Sequence, residues 1–206
     1  MNHLLKFKHL SNYYFVMRHG HSLANLESII VSHPENGVGS YGLSSLGKEQ
    51  VTEAGKSVGS PGQNITIVSS DFKRARETAE IMHRLLNCDA PIRFDERLRE
   101  RNFGDLELAD DSAYARVWLE DAINPDNNLN GVEGPNQVMQ RVTTLVAEYE
   151  EKMSGLTLLL ISHGDALQIL QTAFSGQAAS QHRQQPHLET AEIRRLNLSR
   201  SDKPQA

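Results

Sequence analysis

The chain is 206 residues long, 38% hydrophobic and 23% charged, with a formal net charge of -5 and a pI near 6.0. This composition excludes a mainly disordered or fibrous chain, and the length suits one domain with a sizeable core. The acidic balance excludes a nucleic-acid binder that works through a general positive field, so any anion site has to be a local pocket.

Residues 1–11 scatter Lys6, Lys8, His3 and His9 among leucines, which is not the pattern of a secretory signal. No later run approaches the ~20 apolar residues of a membrane span. Residues 13–17 are aromatic and aliphatic and stop abruptly at Arg18, His19 and Gly20, the pattern of a buried strand opening into a loop. A helix is expected over 45–58, and a second strand over 65–68 leading into Ser69, Ser70 and Asp71. The helix expected over 73–86 has the clearest period, with Ala75, Thr78, Ala79, Met82 and Leu86 on one side and charges opposite. Cys88 is the one cysteine, which rules out an intramolecular disulfide and fits a reducing compartment.

Residues 100–134 are irregular, with a helical piece over 114–119 and a run of Asn, Asp, Pro and Gly that reads as loop. A helix over 135–152, a strand over 156–161 leading into Ser162, His163 and Gly164, and a helix over 165–174 follow. Residues 175–185 are polar and glutamine-rich. The expected domain fills 1–206, with its core over about 13–198 and a flexible tail over 199–206. Strands alternating with helices predict a three-layer α/β/α sandwich around a mostly parallel sheet. Ligands in such sheets gather beyond the carboxyl ends of the strands, where the polar tips would converge.

Several fragments carry chemistry, although each alone also suits a structural role. Arg18 and His19 set a permanent cation beside a group that changes charge near neutral pH, and Gly20 lets the backbone approach the ring. Arg74 follows a strand end in the first turn of a helix, where amides and a guanidinium fork attract anions. His163 repeats the strand-then-histidine pattern. Glu100 lies among arginines and on its own reads as a surface ion pair.

The ordered set resembles the histidine phosphatase superfamily, in the branch of phosphoglycerate mutases and related small-molecule phosphatases. The matching stretches are Val16-Met17-Arg18-His19-Gly20-His21-Ser22 with Asn25, residues 43–47, 69–79, 98–104 and 131–142, and Ile161-Ser162-His163-Gly164. The resemblance implies that fold, His19 as a nucleophile that carries the phosphoryl group, Arg18, Arg74 and His163 as its phosphate pocket, and Glu100 as proton donor. It also implies substrate-side roles for Ser22, Asn25 and Gly164. It implies no cofactor and no metal.

The sequence departs from many relatives at His21, where Glu or Gln is common, and at Val132-Glu133-Gly134, where Gly-Glu-Ser is common. His21 is expected at the pocket mouth, and Glu133 in a structural role. The expected activity is hydrolysis of a small phosphate ester in the cytoplasm, without nucleic-acid or membrane partners, and the oligomeric state is left open. The short interval between Glu100 and His163 favours a phosphatase over a phosphoglycerate mutase. Two further rivals are an idle phosphate-ligand-binding regulator and a metal site built from His19, His21, His163 and Asp165.

Overall fold

The computed structural model describes residues 1–58 and 65–199. In chain order the elements are β1 (Tyr13–Arg18), α1 (Leu23–Leu26), α2 (Pro34–Gly37), α3 (Ser45–Val58), β2 (Ile65–Ser69), α4 (Lys73–Leu85), β3 (Arg93–Phe94), α5 (Tyr114–Ile123), α6 (Pro135–Lys152), β4 (Thr157–Ser162), α7 (Gly164–Phe174) and β5 (Ile193–Leu196). The five strands form one sheet in the order β3-β2-β4-β1-β5, parallel throughout except for β5 at one edge. No described helix is long and apolar enough to cross a membrane.

Alternation along the central strands divides the core in two. Tyr14, Val16, Leu158 and Leu160 point to one face and pack with α6 and α7, through residues such as Val142, Val146, Leu167 and Leu170. Met17, Ile67, Leu159 and Ile161 point to the other and pack with α3 and α4, through Val51, Ala75, Ala79 and Met82. Period-two strands buried on both faces between period-3.6 helices give the expected three layers. A third cluster of Ile30, Phe103, Val117 and Val132 lies outside both layers and anchors α5.

Register fixes where the site falls. Arg18 lies opposite Ser162 across β1 and β4, and Ser69 lies opposite Ile161 across β2 and β4, so the three polar tips end level with one another. The chain leaving β1 enters the α3–α4 layer and the chain leaving β4 enters the α6–α7 layer. A crevice therefore opens between adjacent β1 and β4, at a topological switch point.

Some elements differ from the sequence expectation. β3 is only two residues long, and β5 carries Arg194 and Arg195 at its centre, so neither has the apolar run that marks a strand. The core also begins before residue 13: a 3-10 turn over His3–Lys6 buries Leu4 completely among residues of the α6–α7 face. α5 runs to Ile123, four residues beyond the expected piece, and buries Val117 and Asp121. At the expected tail, Ser199 is tied down by its N–H, which donates to the Phe174 carbonyl at 2.9 Å. The tail over 200–206 lies outside the described residues.

Candidate active site

The β1 tip delivers Arg18 and His19 into the crevice. His19 is 3% exposed. Its Nδ1 lies 2.8 Å from the Gly20 carbonyl, and its Nε2 receives the Arg74 Nε–H at 3.0 Å. A carbonyl only accepts and an arginine only donates, so both contacts require the neutral ring with hydrogen on Nδ1 and a lone pair on Nε2. The electrostatics agree: burial, then the Arg74 and Arg18 charges, hold His19 well below the usual histidine range.

Gly20 is present because of space. A Cβ there would lie 2.6 Å from the Gly47 carbonyl oxygen and 2.7 Å from Val51 Cγ2 on α3. The Gly20 N–H donates to Thr78 Oγ1 at 3.2 Å, and that hydroxyl donates to the Arg74 carbonyl at 2.8 Å, linking the β1 tip to the first turns of α4. Arg74, 4% exposed, sends Nη2 to the Val31 carbonyl at 2.9 Å and lies over the Phe72 ring.

His163 precedes α7 and is fully buried, its ring 5.1 Å from that of His19 and 5.2 Å from that of Phe72. Ser70 Oγ accepts from the Phe72 N–H at 3.2 Å and lies 2.9 Å from His163 Nε2. The hydroxyl hydrogen is therefore available to Nε2, which leaves Nδ1–H as the ring's free donor. Burial and the neighbouring Arg74 keep this ring neutral as well. Arg18 donates to the Leu188 carbonyl at 3.0 Å and, at 2.7 Å, to Nε2 of His187. Gly164 lies beside them, where a Cβ would stand 3.6 Å from His187 Cε1 and 3.9 Å from Arg18 Cζ, ordinary contact distances.

Three buried nitrogens here have no protein partner: Arg18 Nε, Arg74 Nη1 and His163 Nδ1. A buried donor without an acceptor costs about 1–3 kcal/mol, so a cluster of them marks a place built for an acceptor from outside.

Glu100 is half-buried. Its Oε1 accepts from the Arg101 N–H at 2.9 Å and the Ala166 N–H at 3.3 Å. Burial and the Asp165 charge push its carboxyl up from the ordinary range, while Arg74 pulls the other way. It borders a cavity of about 660 Å³ that also meets Ser32, Arg99, Asn102, Glu133 and Arg141. A more apolar cavity of about 390 Å³, lined by residues such as Phe15, Met82 and Leu159, touches none of these groups.

The remaining expected site residues are placed differently. Ser22 Oγ caps α1 and also donates to Asn25 Oδ1 at 2.9 Å, so the two are first of all partners of one another. His21 lies against the start of α3, its Nδ1 2.9 Å from Ser44 Oγ. The metal arrangement is not met: His21 is committed to Ser44, Asp165 to Trp118 and Arg101, and among the described residues no three such side chains are grouped to hold an ion. Glu133 forms an ion pair with Arg141 at 2.7 Å and accepts from the Asn102 N–H, the structural role expected of it.

The parts played by several neighbours were not apparent in the sequence. Ser70 and Thr78 fall inside the matching stretch 69–79, and their contacts could have been found by asking what orients the histidines. His187 sits in a polar stretch without a local signal. Arg101 resembles a surface charge in sequence, yet it is completely buried.

An α/β sandwich with imidazoles and guanidinium groups meeting at the carboxyl ends of parallel strands defines a class of anion-binding enzyme-like fold. The sequence model of the "Histidine phosphatase superfamily (branch 1)" matches residues 14–204. A Salmonella paratyphi C (strain RKS4594) protein named "Probable phosphoglycerate mutase GpmB" is 31% identical over 193 residues, which cover 91% of this chain and 83% of that one. Among solved structures, mycobacterial hydrolase 1 aligns with TM-score 0.75 at 24% identity over 89% of this chain and 87% of its own. Mycobacterial glucosyl-3-phosphoglycerate phosphatase aligns with TM-score 0.73 at 24% identity over 89% and 88%. The two structural likenesses speak for the fold. The chain belongs to the histidine phosphatase superfamily, in its phosphoglycerate mutase-like branch.

Proposed function

We propose that the protein is a phosphomonoester hydrolase that takes a small phosphorylated metabolite through a phosphohistidine on His19. The reading rests on the neutral His19 ring and the three unpartnered donors of its neighbours, which supply a nucleophile and a cradle for phosphoryl oxygens.

Arg18, Arg74 and His163 hold the phosphoryl oxygens, and binding draws Arg74 Nε from His19 Nε2. That nitrogen attacks phosphorus in line with the ester oxygen, so an N–P bond forms as the P–O bond breaks. An alkoxide leaves poorly and takes a proton from Glu100, whose carboxyl is pushed up from the ordinary range by burial and by Asp165. The alcohol departs, Glu100 removes a proton from water, and the water oxygen displaces His19 from phosphorus. Gly164 lies beside Arg18 on the substrate side. Asn25, whose Oδ1 is engaged by Ser22, offers its amide NH2 to the substrate beside it, and His21 borders this side. One domain carries the activity, and Cys88, buried and without a disulfide partner, supports placement in the cytoplasm.

The curated relative bears a mutase name, so a second reading is transfer of the phosphoryl group to another hydroxyl. A panel of phosphorylated metabolites, assayed for phosphate release with wild type and His19→Ala, tests the first. A selective substrate turned over by wild type and not by His19→Ala is expected; equal release by both overturns it. Isomerisation of phosphoglycerate in the presence of a bisphosphoglycerate primer, outpacing phosphate release, would establish the mutase instead.

A further inference from the structure

Two buried carboxylates compete for one guanidinium near the start of α7. Arg101 is fully buried and places Nη1 and Nη2 on the two oxygens of Asp121 at 2.5 and 2.6 Å. Asp165, 4% exposed, receives only a 3.3 Å contact from Nη1. Its other contacts are Trp118 Nε1–H, shared between its oxygens at 3.1 and 3.0 Å, and Arg183 Nη1 at 3.8 Å. Arg183 itself lies 3.6 Å over the Trp118 ring and bonds Gln168. Asp165 is thus held in place by donors but only loosely neutralised.

Glu100 faces the same helix start. Its Oε1 is occupied by the N–H groups of Arg101 and of Ala166, the residue after Asp165. The other oxygen, Oε2, is left to carry a proton. Around this carboxyl stand Arg74 from α4, Tyr114 from α5 and Asp165 from α7, and Arg141 from α6 donates to the Glu100 carbonyl at 3.2 Å. Arg74 favours the carboxylate. Burial with Glu100 and Asp165 nearby pushes the Tyr114 phenol up, so it stays neutral. Glu133 borders the same cavity but is paired with Arg141 at 2.7 Å, so Asp165 is the loosely neutralised negative charge of the group, and a negative charge nearby favours the protonated Glu100 carboxyl.

We propose that Asp165 is a positioning residue for proton delivery: its buried charge, held by Trp118 and Arg101, keeps Glu100 protonated while His19 attacks. The proposal rests on the reading of Glu100 as proton donor. It explains why an acid stands in the first turn of α7, where the mechanism has no direct use for it. The sign follows from the charges. With Asp165 present, Glu100 keeps its proton to higher pH; with a neutral residue there, burial alone opposes Arg74 and the proton is lost at lower pH.

The test is the pH dependence of kcat/KM for glycerol phosphate, with p-nitrophenyl phosphate as a substrate whose leaving group needs little protonation. Wild type is expected to lose activity at alkaline pH with glycerol phosphate, and Glu100→Gln to lack that limb. Asp165→Asn is expected to move the limb down by about one pH unit, a roughly 10-fold loss above it and little change below. Trp118→Phe removes a donor from the Asp165 carboxylate, leaves its charge less compensated, and is expected to move the limb upward. A structural lesion lowers rates at every pH without moving the limb.

If Glu100→Gln retains the limb, the reading of Glu100 fails and the Asp165 proposal falls with it. If Glu100→Gln abolishes it but Asp165→Asn leaves it unmoved, Asp165 is excluded and Glu100 stands. Should Asp165→Asn not fold, Trp118→Phe decides, and a limb that stays or moves down overturns the proposal.

Discussion

His19 shows how much of this site is decided by a single proton. One ring nitrogen meets a group that can only accept, and the other meets a group that can only donate, so geometry selects the nucleophilic tautomer without a carboxylate partner. Arg74 has two tasks in the resting protein: it disfavours the imidazolium and holds an unpartnered Nη1 in reserve for an incoming oxygen. Arg74→Ala is therefore expected to lower kcat/KM by at least ~100-fold, as loss of a charge-stabilising donor does elsewhere. Steady-state assay on the substrate found in the metabolite panel measures it, and near-full activity would remove Arg74 from the pocket.

Among elements, the decisive contact is the packing of α3 beneath the loop that follows β1. A Cβ on Gly47 would stand 2.0 Å from the His21 carbonyl oxygen, and that carbonyl also accepts the Ser44 N–H at 2.9 Å. Gly47→Ala must push the loop off the helix or bend the helix away. A loss of about 1–3 kcal/mol in urea unfolding is expected, typical of overpacking, together with reduced turnover because His19 shares that loop. An unchanged unfolding midpoint would show the approach to be less tight than described.

The segments covering the site are joined by similar contacts. Glu107 accepts from the Ser32 and His33 N–H groups and from Asn36, fixing the stretch whose Val31 carbonyl binds Arg74. Arg141 reaches from α6 to the carbonyls of Arg97, Arg99 and Glu100 and so carries the loop that bears Glu100.

At the scale of the molecule, α5 is tied to the base of the site by charge as well as by its apolar cluster. Arg101 follows Glu100 directly, Asp121 lies on α5, and both side chains of this pair are fully buried. Removing Asp121 leaves the buried Arg101 with only its 3.3 Å contact to Asp165 as an ion pair. Asp121→Asn is expected to cost about 3–5 kcal/mol by denaturant unfolding, in contrast to a surface pair. A cost under about 1 kcal/mol would mean that water reaches Arg101 and that the pair does not fasten α5.

Local pattern alone was enough for the layered α/β architecture, because it depends on periodicity: Ala75, Thr78, Ala79 and Met82 all fall on the buried face of α4, and the strand tips end at Arg18, Ser69 and Ser162. The meeting of His19, Arg74 and His163 was likewise legible, since they stand at strand ends and a helix start, while the roles expected of them came only from the resemblance to the family. β5, the buried Leu4, the capping partnership of Ser22 with Asn25, and the placement of His187 were not. Each depends on a contact between distant segments or on an edge that carries no apolar signal. The burial of Arg101 with Asp121, and of Asp165 beside Glu100, belongs to the same kind. Sequence shows that these groups are charged; only the folded chain decides which of them leave water together, and that choice sets their chemistry.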